Sequence, residues 1–203
     1  MIEKITTGSF FTNSYIISND NKECVIVDAG LSYKNAYEQI ITKYNPKAIL
    51  ITHGHADHID GITLFNNIPI YISNIDENMM YDSINSLYTM LNKRTPFKKG
   101  DLNVINVFDN DVISLIGYNF RVISTPGHTK GSVCYLMDNN LFAGDTLFRL
   151  STGRCDFPTG SSKELNDSLA KLKNIISDDV IIYPGHDDIT KMDFERKYNP
   201  YLK

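Results

Sequence analysis

At 203 residues and 42% hydrophobic composition, the chain can bury a substantial core, and it sits at the upper edge of what one domain usually holds; one domain over 1–203 is expected. A formal net charge of −4 argues against a nucleic-acid partner, because phosphate-backbone affinity needs clustered Lys and Arg. Met1–Ile5 lacks the apolar run of a signal peptide and no apolar stretch is long enough for a membrane span, so a soluble cytoplasmic protein is expected.

Ser14–Ser18 and Cys24–Asp28 read as short strands, the second ending in a tight turn at Asp28-Ala29-Gly30. From Ser32 to Tyr44 the apolar positions Ala36, Tyr37, Ile40, Ile41 and Tyr44 recur at helical spacing, with Pro46 as a stop signal. Ala48–Thr52 and Pro69–Ile72 are compact apolar strands, and Asn74–Leu91 reads as helical before a basic, Pro-containing segment at Lys93–Gly100. Strand-like runs return at Asn103–Val107, Val112–Leu115, Tyr118–Ser124, Ser132–Met137 and Asn140–Ala143, followed by a helix at Ser162–Ile176 and a strand at Val180–Tyr183. Two β-then-α halves imply two packed sheets covered by helices, a four-layer α/β/β/α arrangement. Cys24, Cys134 and Cys155 are odd in number and lack CxxC spacing, so they read as small core or wall residues, with neither a disulfide framework nor a thiolate zinc site.

The chemistry concentrates in Thr52-His53-Gly54-His55-Ala56-Asp57-His58, directly after an apolar strand. Residues two apart in extended backbone point the same way, so His53 and His55 can converge on one ion, with Gly54 keeping the space between them open. If the chain then turns into a helix near Asp57, Asp57 and His58 can aim at a second point beside the first. Neutral imidazole and carboxylate are ligands that zinc and iron accept. His128 in Thr125-Pro126-Gly127-His128-Thr129, Asp145 in Ala143-Gly144-Asp145-Thr146 and His186 in Tyr183-Pro184-Gly185-His186 each follow a strand directly. Rigid sheets commonly display catalytic groups at such strand ends. All five histidines fall in these motifs, whereas surface or core roles would scatter them.

These motifs resemble the metallo-β-lactamase superfamily, and within it the short glyoxalase II-like (hydroxyacylglutathione hydrolase-like) hydrolases. The resemblance runs from Asn13-Ser14-Tyr15 and Val27-Asp28-Ala29-Gly30 through the histidine motifs. It continues into Gly144-Asp145-Thr146-Leu147-Phe148-Arg149, Gly153-Arg154-Cys155-Asp156 and Asn199-Pro200. It implies that His53, His55 and His128 bind a first metal and Asp57, His58 and His186 a second, with Asp145 bridging and Asp28 supporting the ligands from behind. Two divalent ions per chain are then expected, zinc first, with iron or manganese also suited to these ligands.

Such a pair could hold a bridging water, lower its pKa and polarise the carbonyl it attacks, while Asp57 orients the hydroxide and takes its proton. A small thioester such as S-lactoylglutathione suits the motifs, because its thiolate leaves with little acid help. Arg154 could hold a substrate carboxylate or pair with Asp156, and Lys93, Arg94, Lys98 and Lys99 could gather an anionic carrier or form a solvated loop. Two departures bear on glutathione: the chain ends soon after His186, where classical glyoxalase II has a helical domain, and Lys130 stands where the family usually has Pro. The rival reading is a persulfide dioxygenase with one iron on His53, His128 and Asp145.

Overall fold

A computed structural model describes residues 1–30, 34–65 and 67–203. The first half runs through β1 (Ile2–Thr7), β2 (Thr12–Ser18), β3 (Glu23–Val27), α1 (Lys34–Lys43), β4 (Asn45–Leu50) and the single turn α2 (Ala56–Ile59). After a 3-10 turn at Asp60–Leu64 come β5 (Ile70–Ser73), the single turn α3 (Glu77–Met80), a 3-10 turn at Tyr88–Leu91 and β6 (Val104–Val107). The second half has β7 (Val112–Leu115), β8 (Tyr118–Ser124), β9 (Val133–Met137), β10 (Asn140–Gly144), a hairpin of β11 (Leu147–Phe148) and β12 (Ser151–Thr152), α4 (Ser162–Ile175), β13 (Ile181–Pro184), β14 (Thr190–Lys191) and α5 (Met192–Tyr198).

Two six-stranded sheets form, in the orders β1-β2-β3-β4-β5-β6 and β14-β13-β10-β9-β8-β7. The first changes from antiparallel to parallel at β3, and the second is antiparallel except for the β10–β13 pair. The sequence explains the layering. Side chains alternate across a strand, so a strand buried on both faces reads as an unbroken apolar run. Tyr15, Ile17, Val25, Val27, Ala48 and Leu50 face the second sheet and meet Phe120, Val122, Tyr135 and Phe142. Their neighbours Ile16, Cys24, Ile26, Ile49 and Ile51 face outward and pack with Tyr37, Ile40 and Tyr44 around α1. On the far side Ile123, Cys134, Leu141 and Ile182 pack against Leu165, Leu169 and Leu172 of α4. The result is the four-layer α/β/β/α sandwich, and its helices number none long and apolar enough to cross a membrane among the described residues.

Several expectations need correcting. Asn74–Leu91 is helical only in α3 and the turn at Tyr88–Leu91. Between them the Asp82 carboxylate accepts the backbone N–H groups of Ile84 and Asn85, offering the chain a local alternative to helix, and Leu87 takes a left-handed φ of 64°. The expected helix start at Ser32 lies outside the described residues, and within them α1 runs from Lys34. α1 ends at Lys43, ahead of the Pro46 stop signal as expected, and Pro46 itself sits inside β4, where the register with β3 shifts. The edge strand β1, the two-residue strands and α5 carry too little apolar periodicity to be read from sequence.

The carboxy-terminal helix has a definite task. The buried Glu195 carboxylate accepts Leu150 N (2.9 Å) and Thr190 Oγ1 (2.5 Å). Asn199 Nδ2 donates to the carbonyls of Phe148 (3.3 Å) and Ser151 (3.1 Å). Together they clamp the β11–β12 hairpin, which carries Phe148 to the mouth of the site.

Candidate metal centre

The C-terminal ends of β4, β8, β10 and β13 meet at one rim of the sandwich, and the seven expected ligands leave from them. β4 ends at Leu50, the chain bends at Thr52, and His55 (φ −75°, ψ 147°) is extended immediately before α2. Asp57 and His58 therefore sit in the first turn, on the same side as His53. His128 follows β8 in a loop held by α4: Ser161 N donates to Gly127 O (2.8 Å) and Ser168 Oγ to Pro126 O (2.7 Å). Ser161 also caps α4 by accepting Glu164 N, which fixes where that support begins. The His186 loop is held by β2, through Asn13 N to Gly185 O (2.7 Å), Asn13 Nδ2 to Asp187 O (2.9 Å) and Tyr15 Oη to Pro184 O (2.7 Å). Gly185 leaves the room this needs, since a Cβ there would collide with Asp145 Oδ1 and lie 2.8 Å from His58 Cε1.

All seven groups come together. Ligand atoms cluster within 4.8 Å of one another in three overlapping triads: His53, His55 and His128; His53, His58 and Asp145; Asp57, His58 and His186. Asp145 lies between them. Its Oδ2 is 3.4 Å from both His128 Nε2 and His186 Nε2, and its Oδ1 is 3.4 Å from His58 Nε2. Asp57 Oδ2 is 3.4 Å from His186 Nε2 and accepts Thr12 Oγ1 at 2.9 Å.

The hydrogen bonds behind the rings fix their tautomers. His58 Nδ1 donates to Asp28 (2.9 Å), His128 Nδ1 to Arg154 O (2.6 Å) and His186 Nδ1 to Phe10 O (3.0 Å). Thr52 Oγ1 gives its proton to Asp28 and so accepts from His53 Nδ1 at 3.1 Å. In all four the Nε2 lone pair is turned inward, as outer partners do for metal-binding histidines. His55 is turned the other way, with Nδ1 2.9 Å from His128 Nε2. Nε2 of His53 and His58 and Oδ1 of Asp145 are buried without a hydrogen-bond partner. Buried polar atoms left unpaired are costly, and these face one another. The residues fit divalent metal.

The charges agree. Burial, reinforced by neighbouring imidazoles, holds His53 well below its ordinary range and His55 down to about 3, so both offer neutral lone pairs. Burial acts against charge at His58 and His186 too, but the facing carboxylates outweigh it and push them up to about 9 and about 11. The same imidazoles hold Asp57 and Asp145 below the usual carboxylate range, against the burial that would raise them. A divalent cation can take the place of those protons.

Asp28, expected behind the ligands, reaches two of them at once: His58 directly and His53 through Thr52, whose N–H it also accepts at 2.8 Å. Sequence reading missed Asp76, which is fully buried beyond the end of β5. Its carboxylate accepts Gly54 N (3.0 Å), Thr129 Oγ1 (2.6 Å) and Gly131 N (2.8 Å), tying the loop of His53 and His55 to the loop of His128. Like the ligands it lies just past the end of a strand, but the stretch from Asn74 onward reads as helical in the sequence. The carbonyls of Phe10 and Arg154 leave no trace in a sequence.

Over the cluster opens a cavity of about 280 Å³. Its walls are Phe10, Leu87, Met90, Leu91, Phe148 and Phe157. Arg154 also lines it, with Nε and Nη2 each 2.7 Å from the Asp156 carboxylate and the guanidinium 4.2 Å over the Phe157 ring. Lys93, Arg94, Lys98, Lys99 and Lys130 are not among the lining residues.

The metallo-beta-lactamase superfamily profile matches residues 7–186. Hydroxyacylglutathione hydrolase GloC of Haemophilus influenzae is 28% identical, over 99% of this chain and 97% of its own length. Among solved structures, the BLEG-1 B3 metallo-beta-lactamase superposes with a TM-score of 0.90 at 30% identity, covering 100% of both chains. The di-iron-bound form of TTHA1623 gives 0.83 at 28% identity, covering 98% of this chain and all of the other.

Proposed function

As a member of the metallo-beta-lactamase superfamily, this chain is, we propose, a two-metal hydrolase that cleaves a small thioester such as S-lactoylglutathione. One observation carries the reading: Asp145 stands between two sets of donors, 3.4 Å from His128 and His186 through one oxygen and from His58 through the other. In this assignment His53, His55 and His128 hold one ion, Asp57, His58 and His186 hold the other, and Asp145 serves both. Zinc suits the donors; the iron in TTHA1623 makes iron the alternative. The likeness to a hydroxyacylglutathione hydrolase supports the thioester. We take the protein to be a one-domain cytoplasmic enzyme whose partner is its small-molecule substrate, with no role for nucleic acid or membrane.

When bound, the metal pair supplies Lewis-acid polarisation of the carbonyl and a water acidic enough to attack at neutral pH. The protein supplies placement. Asp57, steadied by Thr12 Oγ1, orients the attacking water and accepts its proton. Asp28, Thr52 and the carbonyls of Arg154 and Phe10 hold four imidazoles in the tautomer that aims Nε2 inward. The apolar walls keep the reacting carbonyl in surroundings where these charges act strongly. The departing sulfur leaves as a stable thiolate, since thiols ionise near pH 8.5, and no dedicated acid is required.

A second reading, the mononuclear-iron persulfide dioxygenase, is kept because its three ligands are also neighbours: the His53 and His128 rings lie 4.7 Å apart and Asp145 is 3.4 Å from His128. Metal-replete protein assayed in parallel with S-lactoylglutathione and, in an oxygen electrode, with glutathione persulfide separates the two. Thioester hydrolysis without oxygen uptake is expected. Rapid uptake with thioesters untouched would overturn the hydrolase and leave the fold intact.

A further inference from the structure

We propose that the cavity over the metal centre is an acyl site: it takes an apolar acyl chain and does not read the charge of the carrier to which that chain is linked. The inference rests on the thioester reading above and adds what the substrate is chosen by.

The walls close on the floor from three sides. Phe148 packs edge-on to His186 with ring centroids 5.8 Å apart, and Phe157 packs edge-on to His55 at 5.8 Å. Leu87, Met90 and Leu91 come from the Tyr88–Leu91 turn and its flank, which is brought over α2 where Ala56 N donates to Ser86 O at 2.7 Å. A carbonyl placed at Asp145 therefore has its substituents among aromatic and aliphatic side chains. Phe10 and Met90, 46% and 58% exposed, extend the apolar lining to the mouth of the cavity. At about 280 Å³ the space is at the small end of ligand pockets, enough for a short acyl chain.

A glutathione or nucleotide carrier would need cations for its carboxylates or phosphates. Among the described residues the one Lys or Arg of the lining is Arg154, whose Nε and Nη2 are engaged by Asp156 in a bidentate pair. The basic residues Lys93, Arg94, Lys98 and Lys99 lie outside the lining. The chemistry stays a plain hydrolysis. The water oxygen adds to the acyl carbon, the C–S bond breaks, sulfur leaves with the electron pair as thiolate, and the proton taken by Asp57 passes to solvent or to the thiolate.

The test uses two matched series on the metal-replete protein, acetyl to hexanoyl, each on glutathione and on uncharged N-acetylcysteamine. Thioesters report turnover, and the S-alkyl thioethers of the same lengths report binding by calorimetry whether or not turnover occurs. Affinity and kcat/KM are expected to rise roughly fourfold per methylene, the value of one buried CH₂, until the cavity is filled. The two carriers should agree within about threefold. Met90→Lys, at an exposed position, should flatten the series while metal content stays at the wild-type value. Binding that ignores chain length, or that favours the glutathione series about tenfold or more, overturns the acyl site even if thioesters are hydrolysed. Chain-length-dependent binding with no thioester hydrolysed overturns the proposed function and leaves the acyl site standing.

Discussion

In the floor of the cavity, His53, His55 and His58 are at most 2% exposed, and the loops that carry them are cross-tied by Asp28 and Asp76. In the wall above, Phe10 and Met90 stand about half exposed on turns, and Phe148 rides on a hairpin of two-residue strands. The floor is polar and held by hydrogen bonds whose geometry is demanding; the wall is apolar and held by packing that tolerates exchange. Floor residues should fail abruptly when altered, and wall residues by degrees.

The sharpest break in that contrast is expected at Asp145. Asp145→Ala removes the group common to both donor sets and should lower kcat/KM of the metal-replete enzyme by about a thousandfold, near 4 kcal/mol of barrier. A loss within about tenfold would contradict the shared role. Alanine at His58 or His186 comes next: bound metal should fall from two ions per chain to one by elemental analysis, with most hydrolysis lost. Retention of two ions would break the assignment of a second site.

Asp28→Asn and Asp76→Asn touch no substrate, yet each should weaken metal affinity by roughly 10–100-fold in a chelator competition, the usual cost of losing an outer partner. For Asp76 this separates positioning from mere folding, because a purely structural defect would lower the melting temperature without moving the affinity of the protein that remains folded. In the wall, Phe148→Ala should leave metal content unchanged and change kcat/KM for an apolar thioester by less than about tenfold. Arg154→Met should have the smallest effect, within about threefold, since the guanidinium is engaged by Asp156 and the carbonyl that holds His128 is retained. A loss of about a hundredfold there, confined to KM, would instead make Arg154 a carboxylate clamp.

The same contrast governs what could be read from sequence. The seven ligands were legible because the segments that carry them follow β4, β8, β10 and β13, and at β4, buried on both faces, the apolar run Ile49-Leu50-Ile51 ends abruptly at Thr52-His53. The layer order was legible for the same reason. Asp76 was hidden behind a β5 strand of four residues and a stretch that looked helical until Asp82 captured its backbone. The walls were not legible at all: Phe10, Leu87 and Phe148 belong to three segments far apart in sequence, and only the folded chain brings them over one floor. Of the two expectations for Arg154, the pair with Asp156 is formed, while Arg154 itself still lines the cavity.

Two of the imidazoles are braced by main chain, His128 by the carbonyl of Arg154 and His186 by that of Phe10. Point mutation cannot delete a carbonyl. At positions 10 and 154 a codon can therefore drift, changing what the mouth of the site presents to a substrate, while the oxygen bracing the ligand stays in place. Variation at those two positions is a route by which descendants of this gene could change diet without relearning hydrolysis. An insertion or deletion in the same turns would displace the oxygens and is the kind of change that such a lineage should avoid.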